Sequence, residues 1–151
     1  MLQLRRAAAG GVAVAGSNGR ERVVAEGSDA ARDETSGIRE APVAGIARND
    51  GSTVVSLAGE LDLYNAHEVR EALLECCAES PARLIVDLSG VKFIDSTALG
   101  VLIEARTRME NRRGFLLAAP GLETKRALEI SGLDRHFAVH DSLDSAFAAS
   151  V

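Results

Sequence analysis

The segment Asp95–Gly100 contains the side chains best suited to chemistry in this chain. Ser96 and Thr97 carry adjacent hydroxyls where a strand-like stretch passes into a helical one. A hydroxyl at a helix start commonly accepts a hydrogen bond from a backbone N–H of the first turn, which stabilises the helix by about 1 kcal/mol. The same position suits an anion, because free N–H groups and the positive end of the helix dipole lie there. The spacing leaves both a helix cap and a phosphate acceptor open at Ser96.

A catalytic serine is a third interpretation of Ser96, and its neighbours disfavour it. A hydrolase nucleophile elbow has the pattern G-x-S-x-G, and the glycines of that pattern are missing around Ser96. The available bases are His67 on a predicted helix and His136 and His140 near the end of the chain. A triad is defined by geometry, so chain order alone does not exclude them. We nevertheless predict that the protein is not an enzyme.

Metal and acid–base sites are disfavoured as well. His136 and His140 are four residues apart, but the residues between them are strand-like and no H-E-x-x-H pattern is present. Glu60 and Asp62 suggest paired carboxylates, yet a carboxylate just before a helix is stabilised by the helix dipole without any catalytic role. We therefore expect no metal and no cofactor.

The two cysteines, Cys76 and Cys77, are adjacent within a predicted helix. Neighbouring cysteines cannot join distant segments, and two thiols alone do not complete a zinc site. We expect one to be buried and the other partly exposed. This use of cysteine fits a reducing, cytoplasmic setting.

The start of the chain has a weak likeness to an export signal. Two arginines precede a run of small residues from Ala7 to Gly16. The run contains no Leu, Ile or Phe, so its hydrophobic drive is low. We therefore expect the protein to remain in the cytoplasm.

Composition and charge exclude several classes of partner. The chain has 151 residues, of which 26% are charged and 3% aromatic, and its formal net charge is -5. An acidic chain with few aromatic residues suits neither phosphate-backbone binding nor base stacking, so we expect no direct nucleic-acid partner. The sequence has no run of about 18 apolar residues, so we expect no membrane-spanning segment.

The first 40 residues differ from the rest of the chain. They carry six arginines and six acidic residues, with no aromatic residue and no sustained apolar period. Such a segment cannot bury enough apolar surface to offset its ordering entropy. We predict a flexible tail over residues 1–41 and one domain over residues 42–151, which carries the whole net charge of -5.

Periodicity within this domain predicts alternating strands and helices. Two strands, Pro42–Arg48 and Ser52–Ala58, flank an Asn-Asp-Gly turn, which is a hairpin signal. The alternation that follows predicts helices packed on a mixed or mostly parallel sheet. Its elements are a helix at 65–77, a strand at 83–88, a turn at Ser89–Gly90, a strand-like stretch at 91–94, a helix at 97–110, a strand at 115–118, a helix at 123–130, a short strand at 137–139 and a helix from about Leu143.

Three segments together resemble the STAS domain, and specifically the bacterial anti-sigma factor antagonists. They are Leu57–Leu63 (LAGELDL), Leu84–Val91 (LIVDLSGV) and Phe93–Gly100 (FIDSTALG), and they match the family in order and spacing. The resemblance covers about residues 42–150. It implies a single α/β domain with a mixed β-sheet of about four to five strands, about four helices mainly on one side, and no catalysis of its own.

The resemblance also implies a phosphorylation switch. Ser96 occupies the position at which such antagonists are phosphorylated by an anti-sigma factor that is also a serine kinase. The unphosphorylated form binds the anti-sigma factor and frees a sigma factor, phosphorylation breaks the complex, and a phosphatase restores it. The partner-binding residues that the resemblance implies are Asp62, Asp95, Ser96, Thr97, Ala98, Leu99 and Gly100.

Two residues depart from the usual motif of the family. Thr97 stands where a serine is more usual, and Ala98 where a glycine is frequent, so Thr97 is a rival phosphate acceptor. The alternative hypothesis is a structural STAS module in a stress-signalling assembly or a lipid-transporter accessory subunit. The sequence leaves the oligomeric state open.

Overall fold

The computed structural model describes residues 3–5, by their backbone, and residues 39–151. Six strands and four helices follow one another along this part of the chain. The strands are β1 (Gln3–Arg5), β2 (Val43–Asn49), β3 (Ser52–Leu61), β4 (Arg83–Ile94), β5 (Phe115–Ala118) and β6 (Ala138–His140). The helices are α1 (Ala66–Ala78), α2 (Ser96–Arg108), α3 (Leu122–Ser131) and α4 (Leu143–Ala148), with short 3-10 helices at Arg112–Gly114 and Leu133–Arg135.

The six strands form one mixed sheet in which the spatial order equals the chain order. β1, β2 and β3 are antiparallel neighbours, whereas β3 to β6 run parallel. The β2–β3 hairpin turns at Asp50 and Gly51, which both have positive φ, as the turn signal predicts. Five strands and four helices in the predicted order are therefore confirmed for the domain. β1 adds a sixth strand from a segment for which we predicted no element.

Both faces of the sheet are covered. α1, α2 and α3 pack on one face, against side chains that include Val55, Leu84 and Leu117. α4 packs on the other face, against Ile85 and Leu116. This confirms the prediction of helices mainly on one side. Within residues 39–151, no helix is long and apolar enough to cross a membrane.

The predicted turn at Ser89–Gly90 is wrong, because β4 continues through it. The pairing of β4 with β3 shifts register at this point. Asp87 Oδ1 accepts a hydrogen bond from the Ser89 N–H at 3.0 Å. The polar residues therefore form a bulge inside the strand. The same small and polar residues occur in turns and in bulges. Pairing with the neighbouring strand determines which of the two structures forms.

The predicted tail, residues 1–41, lies outside the described residues except for β1 and residues 39–41. Arg39 and Glu40 form ion pairs with residues of the domain. Described residues before the predicted boundary at residue 42 therefore contact the domain, both through these ion pairs and through the pairing of β1 with β2.

Thr124 on α3 is a buried polar residue whose replacement we expect to stabilise the fold. Its side chain is 0% exposed, and its hydroxyl has no hydrogen-bond partner among the described residues. An unsatisfied buried polar group costs about 1–3 kcal/mol. We expect Thr124→Val to raise the free energy of unfolding by about 1 kcal/mol, measured by urea titration.

Thr107→Val on α2 is the matched control. The exposed Thr107 hydroxyl donates to the Ile103 carbonyl at 3.0 Å, so its loss should change stability by less than about 0.5 kcal/mol. A Thr124→Val variant less stable than the wild type would contradict the prediction.

Candidate functional site

Two parallel strands bring separate motifs to one edge of the sheet. β3 ends at Leu61 and β4 ends at Ile94, and these two residues are register partners. The Asp95 N–H donates to the Leu61 carbonyl at 3.0 Å, which extends the pairing by one residue. Asp62 and Asp95, the residues that follow the two strands, therefore lie at the same edge.

The Asp95 side chain joins the start of α2 to the neighbouring loop. Its Oδ1 accepts from the Ala98 N–H and its Oδ2 from the Leu63 N–H, both at 3.0 Å. Asp95 is thus the N-cap of α2, and Ser96 is the first residue of the helix. The helix-cap interpretation of Ser96 is therefore wrong, because the preceding carboxylate fills that role.

The residues of the Asp95–Gly100 motif divide by burial. Ala98 and Leu99 are only 1% and 7% exposed and belong to the core. Ser96, Thr97 and Gly100 are exposed, and a Cβ at Gly100 would have no atom within 4 Å. The hydroxyls of Ser96 and Thr97 have no hydrogen-bond partner among residues 39–151. Both hydroxyls are therefore accessible to a partner. Ala98 and Leu99 position these hydroxyls by packing the start of α2 into the core.

The loop between β3 and α1 is held by reciprocal hydrogen bonds. Asp62 Oδ1 accepts from the Tyr64 N–H at 3.0 Å, and Asn65 Oδ1 accepts from the Asp62 N–H at 2.9 Å. The Asn65 amide also donates to the Glu60 carbonyl at 2.8 Å, and its side chain is buried. Asn65 was not among the site residues predicted from the sequence. The Asp-x-x-Asn spacing is the signal that identifies it, since both residues favour local side-chain bonds to the backbone.

Gly59 allows this loop to leave the sheet. Its φ is +78°, a backbone conformation that favours glycine, and the β3–β4 register shifts between Gly59 and Glu60. A Cβ at Gly59 would lie 3.1 Å from the Glu40 Cβ. The presence of glycine in the Gly-Glu-Leu-Asp motif is therefore explained by the backbone, which forms a bulge at Gly59 and directs the loop towards Ser96.

Arg39 lies across the edge of this site. Its Nη2 donates to Asp62 Oδ2 at 2.8 Å and to the Glu60 carbonyl at 3.0 Å. Beside it, Glu40 pairs with Lys92 at 3.2 Å. Arg39 was not predicted as a site residue, because it lies in a segment with no periodicity. The contact partly neutralises one of the two carboxylates at this edge.

Three large apolar side chains are exposed around the same edge. Leu63 is 66% exposed, Tyr64 79% and Phe93 50%. Leu63 and Tyr64 follow Asp62 in the loop, and Phe93 is the register partner of Glu60. Exposed apolar groups that cluster and have polar neighbours are typical of protein-interaction sites. These three residues were not predicted as site residues, because their exposure is decided by tertiary packing.

The pKa of Asp62 is lowered. Partial burial alone would raise it, but the hydrogen bond and charge of Arg39 and the backbone N–H groups of Tyr64 and Asn65 lower it by more. We expect Arg39→Gln to raise the pKa of Asp62, measured by an NMR titration of the carboxyl carbons. Because the folded-state pKa is the lower one, Asp62 stabilises the fold above its unfolded pKa of about 3.9, and the effect is lost as the pH falls through the folded pKa.

The matched control for this titration is Arg70→Gln. Arg70 pairs with Glu104 at 2.8 Å and lowers the pKa of that carboxyl instead. This variant should raise the pKa of Glu104 and leave that of Asp62 unchanged. If the pKa of Asp62 is unchanged in Arg39→Gln, the backbone N–H donors alone are responsible for lowering it.

The histidines make other contacts. His67 is exposed on α1, His140 Nδ1 lies 3.0 Å from Ser145 Oγ, and the His136 ring packs edge-on against Phe137 with centroids 5.0 Å apart. Within the described part of the chain, none of them hydrogen-bonds to Ser96. These contacts supply no general base to the Ser96 hydroxyl.

Both cysteines are buried, so the expectation that one is partly exposed is wrong. α1 is covered on two sides. Cys76 Sγ lies 4.0 Å from Arg48 Nη2 on β2, and Cys77 Sγ donates to the Ala105 carbonyl of α2 at 3.3 Å. Burial raises the pKa of the Cys76 thiol to about 11 and also raises that of Cys77. Both thiols are therefore protonated near neutral pH and poorly reactive.

The described domain matches a known domain family. Residues 44–146 match the STAS domain. The chain belongs to the STAS domain family, as the three motifs indicate.

Several proteins similar to this chain are described as anti-sigma factor antagonists. The anti-sigma-F factor antagonist RsfB of Mycobacterium tuberculosis is 34% identical over 67% of this chain and 83% of its own length. The anti-sigma-B factor antagonist of Bacillus subtilis is 34% identical over 58% of this chain and 81% of its own length. A crystal structure of an anti-sigma factor antagonist from Mycobacterium paratuberculosis has a TM-score of 0.64 and 34% identity, and the match covers 68% of this chain and 87% of that one.

Proposed function

We propose that this protein is an anti-sigma factor antagonist, which binds an anti-sigma factor and thereby frees a sigma factor. The observation that carries the proposal is the exposed Ser96 hydroxyl at the first residue of α2, which has no hydrogen-bond partner among the described residues. The names of the relatives support the identity of the partner. The binding surface, called the Ser96 surface below, consists of Asp62, Leu63, Tyr64, Phe93, Ser96, Thr97 and Gly100.

The same anti-sigma factor is proposed to be a serine kinase that inactivates this protein. The Ser96 Oγ attacks the γ-phosphorus of ATP, ADP leaves, and the hydroxyl proton passes to a base on the kinase. The kinase supplies the nucleotide, the magnesium and the base. The protein is therefore a substrate and a binding module, with no catalysis and no cofactor of its own.

The transferred phosphate acts through its charge. It adds about −1.5 to −2 charges at pH 7 beside Asp95, at an edge that also carries Asp62. The N-terminus of α2 tolerates an anion, so the domain stays folded. In a desolvated interface without a matching cation, the same charge opposes association. A phosphatase that removes it restores binding.

We place the protein in the cytoplasm, because a sigma factor and its regulators act where transcription takes place. The antagonist acts on a protein partner, and the proposal requires no direct contact with nucleic acid or membrane.

The test is phosphorylation by a kinase-type anti-sigma factor from the same genome, with ATP, followed by peptide mass spectrometry. We expect one phosphate on Ser96 in the wild type and in Thr97→Val, and none in Ser96→Ala. A phosphate on Thr97 in both the wild type and Ser96→Ala would assign the switch to the rival acceptor. If no kinase-type anti-sigma factor of that genome binds or phosphorylates the protein, the antagonist role is wrong.

A further inference from the structure

A second surface feature is a concave basic pocket beside β5 and β6. It has a volume of about 370 Å³, within the range of small-molecule sites. Its cationic and imidazole side chains are Arg106, Arg112, Arg113, Arg135, His136 and His140, and we call it the basic pocket.

The basic pocket is remote from the Ser96 surface. It includes Phe115 at the start of β5, which pairs with Leu84 near the start of β4, whereas Ser96 follows the far end of β4. The eleven residues from Leu84 to Ile94 are separated by ten steps along the strand, which span about 33 Å. A ligand in the basic pocket would therefore not touch Ser96.

The charge of the basic pocket is unbalanced. Among the described residues, no carboxylate side chain lines it, although the whole chain has a net charge of -5. In the part of the chain that the structure describes, its four guanidinium groups have no carboxylate within 4.0 Å. Arginines elsewhere, such as Arg48, Arg70 and Arg108, do pair with carboxylates. Four unpaired guanidinium groups around one concavity repel each other, and a bound anion relieves that repulsion.

The walls of the basic pocket are preformed. Phe115 and Phe137 are buried behind it with ring centroids 5.9 Å apart. Ala149, at the end of α4, forms another part of the lining. Arg83 donates to the carbonyls of Ala146, Phe147 and Ala149 and so holds this end of α4 against the sheet. The apolar wall and the α4 side of the basic pocket are therefore held by packing and hydrogen bonds, which lowers the ordering cost of binding a ligand.

We propose that the basic pocket binds a small anion that carries two or more phosphate groups. The planar fork of a guanidinium matches phosphate oxygens and binds them bidentately. One orthophosphate contacts only some of the four arginines of the basic pocket, whereas a diphosphate presents oxygens to several of them at once. The ring N–H groups of the two histidines supply additional donors.

The experiment is isothermal titration calorimetry of the protein with pyrophosphate, ADP and orthophosphate at constant ionic strength. We expect saturable binding of pyrophosphate with a dissociation constant below about 1 mM, and binding of orthophosphate at least about tenfold weaker. If ADP binds with the same affinity as pyrophosphate, the basic pocket recognises the phosphate groups alone. If ADP binds more tightly than pyrophosphate, the basic pocket also contacts the nucleoside. Both results support the proposal.

Two double variants test the location. Arg113→Gln with Arg135→Gln should weaken pyrophosphate binding at least about tenfold. Arg108→Gln with Arg126→Gln removes the same charge from arginines that pair with carboxylates, and should change binding less than about twofold. Ser96→Ala should bind pyrophosphate like the wild type. The proposal is overturned if no diphosphate binds, if orthophosphate binds equally well, or if the two double variants lose affinity equally.

Discussion

Ser96→Glu is expected to weaken binding to the anti-sigma factor about 30- to 150-fold, because an unpaired charge in a desolvated interface costs about 2–3 kcal/mol. The introduced carboxylate lies beside Asp95, with Asp62 at the same strand edge. Its effect on folding should be small, because acidic groups are favourable in the first turn of a helix. The measurements are the dissociation constant by calorimetry and the free energy of unfolding by urea titration.

Ser96→Gln is the matched control for this substitution, since glutamine has nearly the size of glutamate without its charge. It separates the electrostatic effect from the steric one. Ser96→Ala should bind at least as well as the wild type and should resist inactivation by ATP. Equal weakening by Glu and Gln would mean that bulk at the start of α2, and not charge, controls the complex.

Tyr64→Ala is expected to weaken the same complex about 30-fold or more, which corresponds to about 2 kcal/mol. Tyr64 is 79% exposed in the loop that follows β3, so it makes little contact within its own domain. Tyrosine is among the residues enriched at the hot spots of protein interfaces. Alanine retains the backbone N–H that donates to Asp62 Oδ1, so the loop and the stability of the fold should be preserved.

Ile130→Ala is the matched control for the loss of an exposed apolar side chain. Ile130 is 81% exposed on α3 and lies outside the Ser96 surface. This variant should bind the anti-sigma factor with wild-type affinity. Equal losses in the two variants, or none in Tyr64→Ala, would contradict the assignment of Tyr64 to the interface.

Local signals in the sequence were enough to predict the order of the elements in the domain. The strand at residues 83–88 is an apolar run, which indicates burial on both faces, and the Asn-Asp-Gly turn indicates a hairpin. The segment with Ser96 was predicted to start a helix because polar residues precede an apolar stripe with helical spacing. These features depend on residues only a few positions apart, so they can be predicted from a single sequence.

The errors and omissions share a different cause. Whether Ser89–Gly90 forms a turn or a bulge depends on the register of β3, and whether Cys77 is buried depends on the packing of α2. Arg39 joins the site through an ion pair with Asp62, which lies 23 residues further along the chain. None of these contacts leaves a periodic signal in the sequence.

By itself, the sequence determined the α/β class, the motifs and the identity of Ser96 as the residue to test. Only the tertiary structure decided which side chains share a surface with it. Parallel pairing of β3 and β4 brings Asp62 and Asp95 together, and the packing of α2 on the sheet turns Ala98 and Leu99 inward and Ser96 outward. The physical reason is that strand pairing and burial are set by contacts between distant segments, whose loop-closure cost only the whole domain can offset.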